Sequence, residues 1–171
     1  MKHSEAMRLY GSDKPDLRFG MELFELTPLF EATGFKAFST AGSIKGICVP
    51  GQGDATRSRL DNLTDMAKRW GAKGLVWMRV TADGVDSPVA KFLSAEEIDA
   101  LKAETKAEAG DLLLLVADER PRVRHVLGLL RVELGGRTVS EGGLHFTWIV
   151  DSPPVDGVAA AVTIAESLVR L

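Results

Sequence analysis

The sequence has little of what marks several broad classes of protein. It carries one cysteine, Cys48, in 171 residues, which excludes an internal disulfide framework. Its longest wholly apolar run, residues 112–117, is far shorter than the roughly 20 residues of a membrane-spanning helix. The residues after Met1 are charged and polar, where a signal peptide would be apolar. We therefore expect a cytoplasmic protein that has no membrane partner.

A strong excess of charge of either sign is also missing. The formal net charge is −3, so a nucleic acid would have to be held by a local basic patch and not by the field of the whole protein. The chain is 45% hydrophobic, which at this length provides one well-formed core and leaves no room for a second full domain.

The best-defined local pattern is a helix followed by a strand in residues 54–80. Apolar residues recur at steps of three and four, Thr56 or Asp54 can cap the start, and Gly71 can take the left-handed conformation that ends a helix. Residues 75–80 then alternate between two faces, as strands do. The apolar positions of the helix are Leu60, Leu63, Met66, Ala67 and Trp70. We expect this unit to be the nucleus of a two-layer domain.

Other segments complete the predicted layout. Strands are predicted at residues 37–40 and 44–49, joined as a hairpin, at 112–116 in the centre of the sheet, and at 146–150. Helices are predicted at residues 21–32, broken in two by Pro28, from a capping box of Ser94 and Glu97 to about 107, and at 119–134 after a cap by Asp118. Residues 81–88 are predicted to be a surface loop. Paired strands interrupted by helices indicate an α+β fold, a mostly antiparallel sheet with helices packed on one face.

The predicted helix at residues 119–134 carries the candidate RNA contacts. Arg120, Arg124 and Arg131 follow at steps of four and seven along one edge of its apolar face. Such a stripe could contact phosphates. Equally, it could be a solvated edge lying over the sheet, since no aromatic residues are interleaved with it.

Two short motifs have both a plain and a functional interpretation. Asp13-Lys14-Pro15-Asp16 is typical of a tight turn, although two carboxylates at this spacing could be an acid/base pair or half of a metal site. Gly51-Gln52-Gly53 lies where glycines admit a phosphate to a helix start, but Thr56 replaces the third glycine of the dinucleotide fingerprint. We favour the turn and the plain loop, and we interpret Cys48 as a small buried hydrophobic residue.

Several ordered stretches together resemble the bacterial-type aspartyl-tRNA synthetases. Residues 5–23 resemble the segment leading out of that family's catalytic domain, and residues 146–151 resemble the strand by which the chain re-enters it. The region between them is similar to the family's insertion, the GAD domain, which an amidotransferase subunit shares. The matching stretches there are Gly34-Phe35-Lys36, Gly71-Ala72-Lys73-Gly74-Leu75, Ser87-Pro88-Val89-Ala90-Lys91-Phe92-Leu93 and Leu127-Gly128-Leu129-Leu130-Arg131.

The resemblance implies a domain division and a fold. Residues 1–30 would flank the catalytic domain, residues 31–140 would form the GAD domain, and residues 141–171 would hold the re-entry strand and a divergent tail. The implied fold is GAD-like, also called DCoH-like, with the order β2-α-β2-α and a helical insertion. In the tail we expect a short amphipathic helix, whose apolar positions would be Val158, Val162, Ala165 and Val169.

The resemblance also implies a function. The family consists of class II synthetases, which use ATP and Mg²⁺ to activate aspartate and then transfer it to tRNA. This sequence shows no anticodon-binding barrel, none of the three class II motifs and no paired histidines after Asp151, so no catalytic, cofactor-binding or metal residue carries over. We expect part of an aspartate–tRNA ligase that is inactive alone and acts near the tRNA acceptor end, beside the remainder of the catalytic domain. The alternatives are a stand-alone RNA-binding module or a subunit-interaction module.

Overall fold

A five-stranded sheet forms the centre of the computed structural model, which describes residues 1–135, 145–153 and 163–167. The strand order is β1-β2-β5-β3-β4, and every neighbouring pair is antiparallel. The strands are β1 Phe24–Glu25, β2 Ser43–Val49, β3 Val76–Thr81, β4 Gly84–Asp86 and β5 Leu112–Asp118. The predicted α+β fold is confirmed, and β5 lies in the centre as its continuous apolar run predicted.

The three longest α-helices begin and end close to where the sequence signals predicted. The Thr56 side chain accepts the amide of Arg59, and Ser94 and Glu97 form the predicted capping box. Gly71 has a φ of 100° after the last turn of its helix. The α-helices are α1 His3–Tyr10, α2 Lys36–Ser39, α3 Arg57–Arg69, α4 Ala95–Thr105 and α5 Arg120–Gly135, and two 3₁₀ helices cover Thr27–Phe30 and Ala90–Phe92. Within the described residues, no helix is long and apolar enough to cross a bilayer.

Both faces of the sheet are covered. The long helices α3 and α5 pack on one face, where Leu114 of β5 lies in a core with Leu60 and Leu127. The other face carries Leu115, which packs with Phe30, Phe38 and residues of α4. Because successive residues of a strand point to opposite faces, covering both faces requires the uninterrupted apolar run of β5. The two long helices occupy one face as predicted, and the helical insertion covers the other.

The predicted hairpin of residues 37–40 and 44–49 is wrong in its first arm. Residues 37–39 lie in α2 and Thr40 caps its end, and the edge neighbour of β2 is β1, with Phe24 opposite Gly46. The ring of Phe38 contacts those of Phe30 and Phe35, with centroid separations of 4.7 and 4.8 Å. Residues three apart lie on the same side of a helix but on opposite sides of a strand, so Phe35 and Phe38 can meet only in the helical conformation. Packing of these rings therefore decides the conformation of this short segment.

Three other segments also differ from the prediction. The pattern at residues 21–32 yields β1 and a single 3₁₀ helix with Pro28 in its first turn, because β2 needs an edge partner. Residues 84–86 form β4, which returns along β3 after a turn at Ala82 and Asp83. Residues 163–167 form β7 Thr163–Ser167, paired with β6 His145–Ile149, so the predicted tail helix is wrong there. The prediction for Val158, Val162 and Val169 lies outside the described residues.

Helix α1 was not predicted, and it joins two distant parts of the chain. Its N-terminal side pairs with the residue after β6, since His3 donates its amide to the carbonyl of Val150 at 2.7 Å. The amide of Val150 in turn donates to the carbonyl of Met1 at 3.0 Å. At the other end of α1, Gly11 packs so closely on α5 that an added Cβ would lie 2.2 Å from the carbonyl oxygen of Arg124. Residues 1–11 therefore connect the end of β6 to the core helix α5.

Candidate nucleic-acid interface

Arg131, one of the three predicted RNA contacts, is buried inside the protein. Its residue exposure is 1%, and its guanidinium donates to the carbonyl oxygens of Asp16, Phe19, Gly20 and Met21 at 2.6 to 3.1 Å. Burial lowers the pKa of this guanidinium, although an arginine remains charged at any physiological pH. The prediction of a phosphate contact at Arg131 is therefore wrong, because backbone carbonyls occupy the donors that a phosphate would need.

Two aromatic rings complete the environment of Arg131. The guanidinium carbon lies 4.7 Å from the ring centroid of Tyr10 and 4.4 Å from that of Phe19. Rings and carbonyls together supply electron density to the buried cation, which compensates for its lost hydration. Arg131 thus connects the turn after α1 to helix α5.

The other two arginines of the stripe have different surroundings. Arg120 is exposed at the start of α5, whereas Arg124 is half-buried and its Nε has no hydrogen-bond partner among the described residues. The charge of Arg124 acts on Lys45, whose side chain is 1% exposed and whose Nζ lies 3.3 Å from a carboxylate oxygen of Glu25. Burial lowers the pKa of Lys45, and Glu25 opposes that effect. The three arginines therefore do not form one continuous stripe.

A second group of cations surrounds Asp118, at the end of β5. Its Oδ1 accepts the Glu119 amide and Arg122 Nη1, each at 2.9 Å, and Lys73 Nζ lies 3.4 Å away. The carboxylate is fully buried, and its Oδ2 has no partner among the described residues. Burial acts to raise the pKa of Asp118, but the amide and the cations outweigh it and hold the pKa below its ordinary value.

A pocket of about 420 Å³ opens beside this group. It lies between the segment joining α2 to β2 and the segment joining α3 to β3, and its walls include Thr40, Gly42 and Leu115 as well as Lys73. The spacing of Asp118 and Arg122, four residues apart across a helix start, could have indicated the ion pair from the sequence. Lys73 and Arg122 are both paired with Asp118, which neutralises much of the local positive charge.

We predict that Asp118→Asn lowers the free energy of unfolding by about 2 kcal/mol at pH 7, because it removes two charge-assisted contacts of a buried group. A carboxylate with a lowered pKa contributes stability above its unfolded pKa, and that contribution is lost as pH falls through the folded pKa. Urea denaturation of both proteins from pH 7 to pH 3 should therefore show the difference shrinking below the ordinary pKa of 3.8. A difference that stays constant over this range would contradict the assignment.

The glycine loop between β2 and α3 does not have the form of a phosphate cradle. The amide of Gly51 donates to Asp111 Oδ1 at 2.9 Å, so the Asp111 carboxylate already accepts the hydrogen bond that a phosphate would need. The amide of Gly53 donates to the carbonyl of Gly110 at 2.7 Å, and a Cβ on Gly53 would meet that group at the same distance. The plain-loop interpretation agrees with this geometry.

Cys48 lies beside the same carboxylate. Its Sγ is 3.6 Å from Asp111 Oδ2, and burial together with the charge of Asp111 raises the pKa of the thiol to about 12. Burial acts to raise the pKa of Asp111 as well, but the amides of Glu108 and Gly51 outweigh it, so the pKa of that carboxyl is lowered. The thiol is therefore protonated at neutral pH and is not an activated nucleophile.

A metal ion and a nucleotide would each need particular groups among the described residues. They contain no group of three or more His, Cys, Asp or Glu side chains that could hold a metal ion. In the turn at residues 13–16, Asp16 is bound by the guanidinium and the amide of Arg18, as expected of a turn residue and not of a metal ligand. Adenylate chemistry would need arginines held towards a triphosphate. Arg131 donates instead to the carbonyl of Asp16, and Arg122 donates to the carboxylate of Asp118.

The antiparallel sheet with two long helices on one face defines the class of this protein. The family profile described as the GAD domain matches residues 35–127, which is just over half of the chain. The chain belongs to the GAD domain family.

The relatives identify the larger proteins that contain such a region. The chain is similar to the aspartate–tRNA ligase of Shouchella clausii, with 45% identity over 163 residues that cover 91% of this chain and 28% of the relative. It is 44% identical over 159 residues to the aspartate–tRNA(Asp/Asn) ligase of Moorella thermoacetica, covering 90% of this chain and 26% of that enzyme. The corresponding ligase of Thermoanaerobacter sp. strain X514 is 46% identical, with 90% and 27% covered. The chain spans about a quarter of the length of these curated relatives, and the resemblance to this family is confirmed.

Proposed function

We propose that this chain serves as the GAD insertion region of a bacterial-type aspartate–tRNA ligase, the enzyme that charges tRNA with aspartate in translation. The observation that carries the proposal is the identity of 44 to 46% to such ligases across about 90% of the chain. In this proposal the remainder of the ligase would hold ATP and Mg²⁺. As part of a translation enzyme, the chain would act in the cytoplasm.

The path of the chain supports its role as an insertion. Residues 1–3 pair with Val150, so the segment just after β6 lies beside the segment that leads into α1. A segment inserted into a larger domain needs this geometry, since its two connections must lie close together. We propose residues 1–30 as the flank of the catalytic domain, residues 31–140 as the GAD domain, and residues 141–171 as the re-entry strand and tail.

The proposed role within the ligase is accessory and lies near the acceptor end of tRNA. Arg120 and Arg124 remain as proposed phosphate contacts, whereas Arg131 is buried. Two such contacts supply only a small electrostatic attraction, so we expect weak binding of tRNA that is lost at moderate salt. The partners in this proposal are tRNA and the remainder of the catalytic domain.

We predict that the purified chain does not catalyse aspartate-dependent exchange between ATP and pyrophosphate. Positioned cationic groups stabilise the charge that develops in adenylate formation, and the described residues provide none held towards a nucleotide. The assay should use a full-length ligase as the positive control and a sample without aspartate as the blank. Aspartate-dependent turnover by the isolated chain above the blank would overturn the proposal that it is an accessory region.

A further inference from the structure

Four phenylalanine rings form a continuous line from the core to the surface. Successive rings are those of Phe30, Phe38, Phe35 and Phe92, with centroid separations of 4.7, 4.8 and 5.5 Å. Phe30 and Phe38 are 1% and 2% exposed, whereas Phe92 is 50% exposed. The outermost pair is stacked almost in parallel, at 10° between the ring planes. An exposed aromatic ring is therefore held in position by rings anchored in the core.

The backbone below Phe92 is also fixed. The Ser87 hydroxyl donates to the carbonyl of Trp77 at 2.7 Å, which ties the segment before the 3₁₀ helix to strand β3. The amide of Val89 donates back to the Ser87 oxygen at 3.3 Å, and the amide of Phe92 donates to the carbonyl of Val89 at 3.0 Å. A ring held in this way loses little conformational entropy when a ligand stacks on it.

One cation lies beside the stacked pair, and a second directly follows one of the two residues in the sequence. The ammonium group of Lys91 is 5.0 Å from the ring centroid of Phe92, and the exposed Lys36 directly follows Phe35 in the chain. Exposed cation–π contacts are weak, so the Lys91 ammonium can move to a phosphate without a large loss. The first turn of α4 carries Glu96 and Glu97, and this mixed charge favours a ligand recognised by stacking over one recognised by charge alone.

We propose that Phe92, supported by Phe35, is a stacking site for an unpaired base of tRNA and that Lys91 contacts the adjoining phosphate. Proteins bind single-stranded nucleic acid by combining aromatic platforms with basic side chains, and a duplex hides the base faces that such a platform needs. This inference rests on the proposed function, which supplies tRNA as the source of the single strand. It extends that function by naming the residue that meets the RNA.

The test is titration of the full chain into a fluorescently labelled single-stranded RNA of about eight nucleotides at low salt, followed by anisotropy. We expect the single strand to bind more tightly than the same RNA in a duplex. Phe92→Leu, which keeps an apolar side chain but removes the ring, should weaken binding about tenfold, or about 1.4 kcal/mol. Phe92→Trp should retain it. Lys91→Gln should reduce the slope of log affinity against log salt by about 0.7.

Val132→Ala is the matched control for loss of exposed apolar surface. Val132 is 49% exposed and lies on α5, which packs on the face of the sheet opposite to α2, so its replacement should leave RNA affinity unchanged. Circular dichroism and thermal unfolding establish that each variant is folded. No binding of the wild type to the single strand, equal binding of single strand and duplex, or unchanged affinity in Phe92→Leu would overturn the inference. Nucleotide exchange by the isolated chain would instead overturn the proposed function, and RNA binding is measured independently of it.

Discussion

Arg131→Met is expected to lower the free energy of unfolding by about 3 kcal/mol, measured by urea denaturation at pH 7. The substitution keeps much of the apolar stem but removes the donors to four backbone carbonyls of residues 16–21. Partly buried carbonyls without a partner each cost free energy, and the contacts with the Tyr10 and Phe19 rings are lost as well. The turn after α1 should become more accessible to protease in the variant.

Two further variants separate the buried role of Arg131 from the effect of charge on α5. Arg120→Met removes a guanidinium from the exposed start of the same helix and should change stability by less than about 0.5 kcal/mol. Arg131→Lys should recover only part of the loss, since a single ammonium cannot reproduce the planar set of donors. Equal stability of Arg131→Met and Arg120→Met would show that the buried contacts contribute nothing.

Gly11→Ala is expected to destabilise the chain by about 3 kcal/mol in the same assay. Gly11 has a φ of 67°, where a side chain is strained, and its added Cβ would lie 2.2 Å from the carbonyl oxygen of Arg124. Because that contact is with the backbone of a core helix, it can be relieved only by moving α1 away from α5. The approach is also close from the side of α5, since a Cβ on Gly128 would lie 3.0 Å from the carbonyl oxygens of Tyr10 and Gly11.

Gly51→Ala is the matched control for the backbone strain alone. Gly51 has the same φ of 67°, and nothing lies within 4 Å of its added Cβ. We expect this variant to lose about 1 kcal/mol, the usual cost of a left-handed conformation for alanine. If Gly11→Ala and Gly51→Ala lower the free energy of unfolding by the same amount, the close approach of α1 to α5 contributes nothing to stability.

Long, regular segments of this fold were predictable from the sequence, because their local signals agree with their packing. The caps of α3 and α4 act within a few residues, and the apolar run of β5 follows directly from the covering of both sheet faces. The shortest segments were not predictable in this way. Helix α2 has four residues, and the rings that fix it come from residues 30 and 92 as well as from its own turn.

At the candidate site, too, contacts with distant residues decide what the sequence pattern leaves open. Periodicity placed Arg131 on the edge of the apolar face of α5, which is where the structure has it. What periodicity cannot show is the segment that covers this edge, since the carbonyl acceptors of Arg131 lie 110 to 115 residues away in the chain. Arg120 and Arg131 are chemically identical in the sequence, and only the packing of residues 16–21 distinguishes a surface cation from a buried one.

The resemblance to a known family added what residue patterns could not. The order of strands and helices predicted an α+β domain, but the proposed function came from ordered motifs such as Leu127-Gly128-Leu129-Leu130-Arg131. In the structure, Gly128 of this motif admits the close approach of α1, and Arg131 holds the turn that follows α1. We infer that this motif has a structural function, the packing of residues 10–21 against helix α5.

The most direct test of the proposed function is to replace the matching quarter of the Moorella thermoacetica ligase with this chain and to measure aspartylation of tRNA. A version of that ligase with the same segment replaced by a short flexible linker provides the reference for loss of the region. If this chain is the corresponding insertion, the chimera should fold and keep kcat/KM within about tenfold of the parent enzyme, well above the linker version. A folded chimera that is no more active than the linker version would contradict the assignment of this chain as the insertion of an aspartate–tRNA ligase.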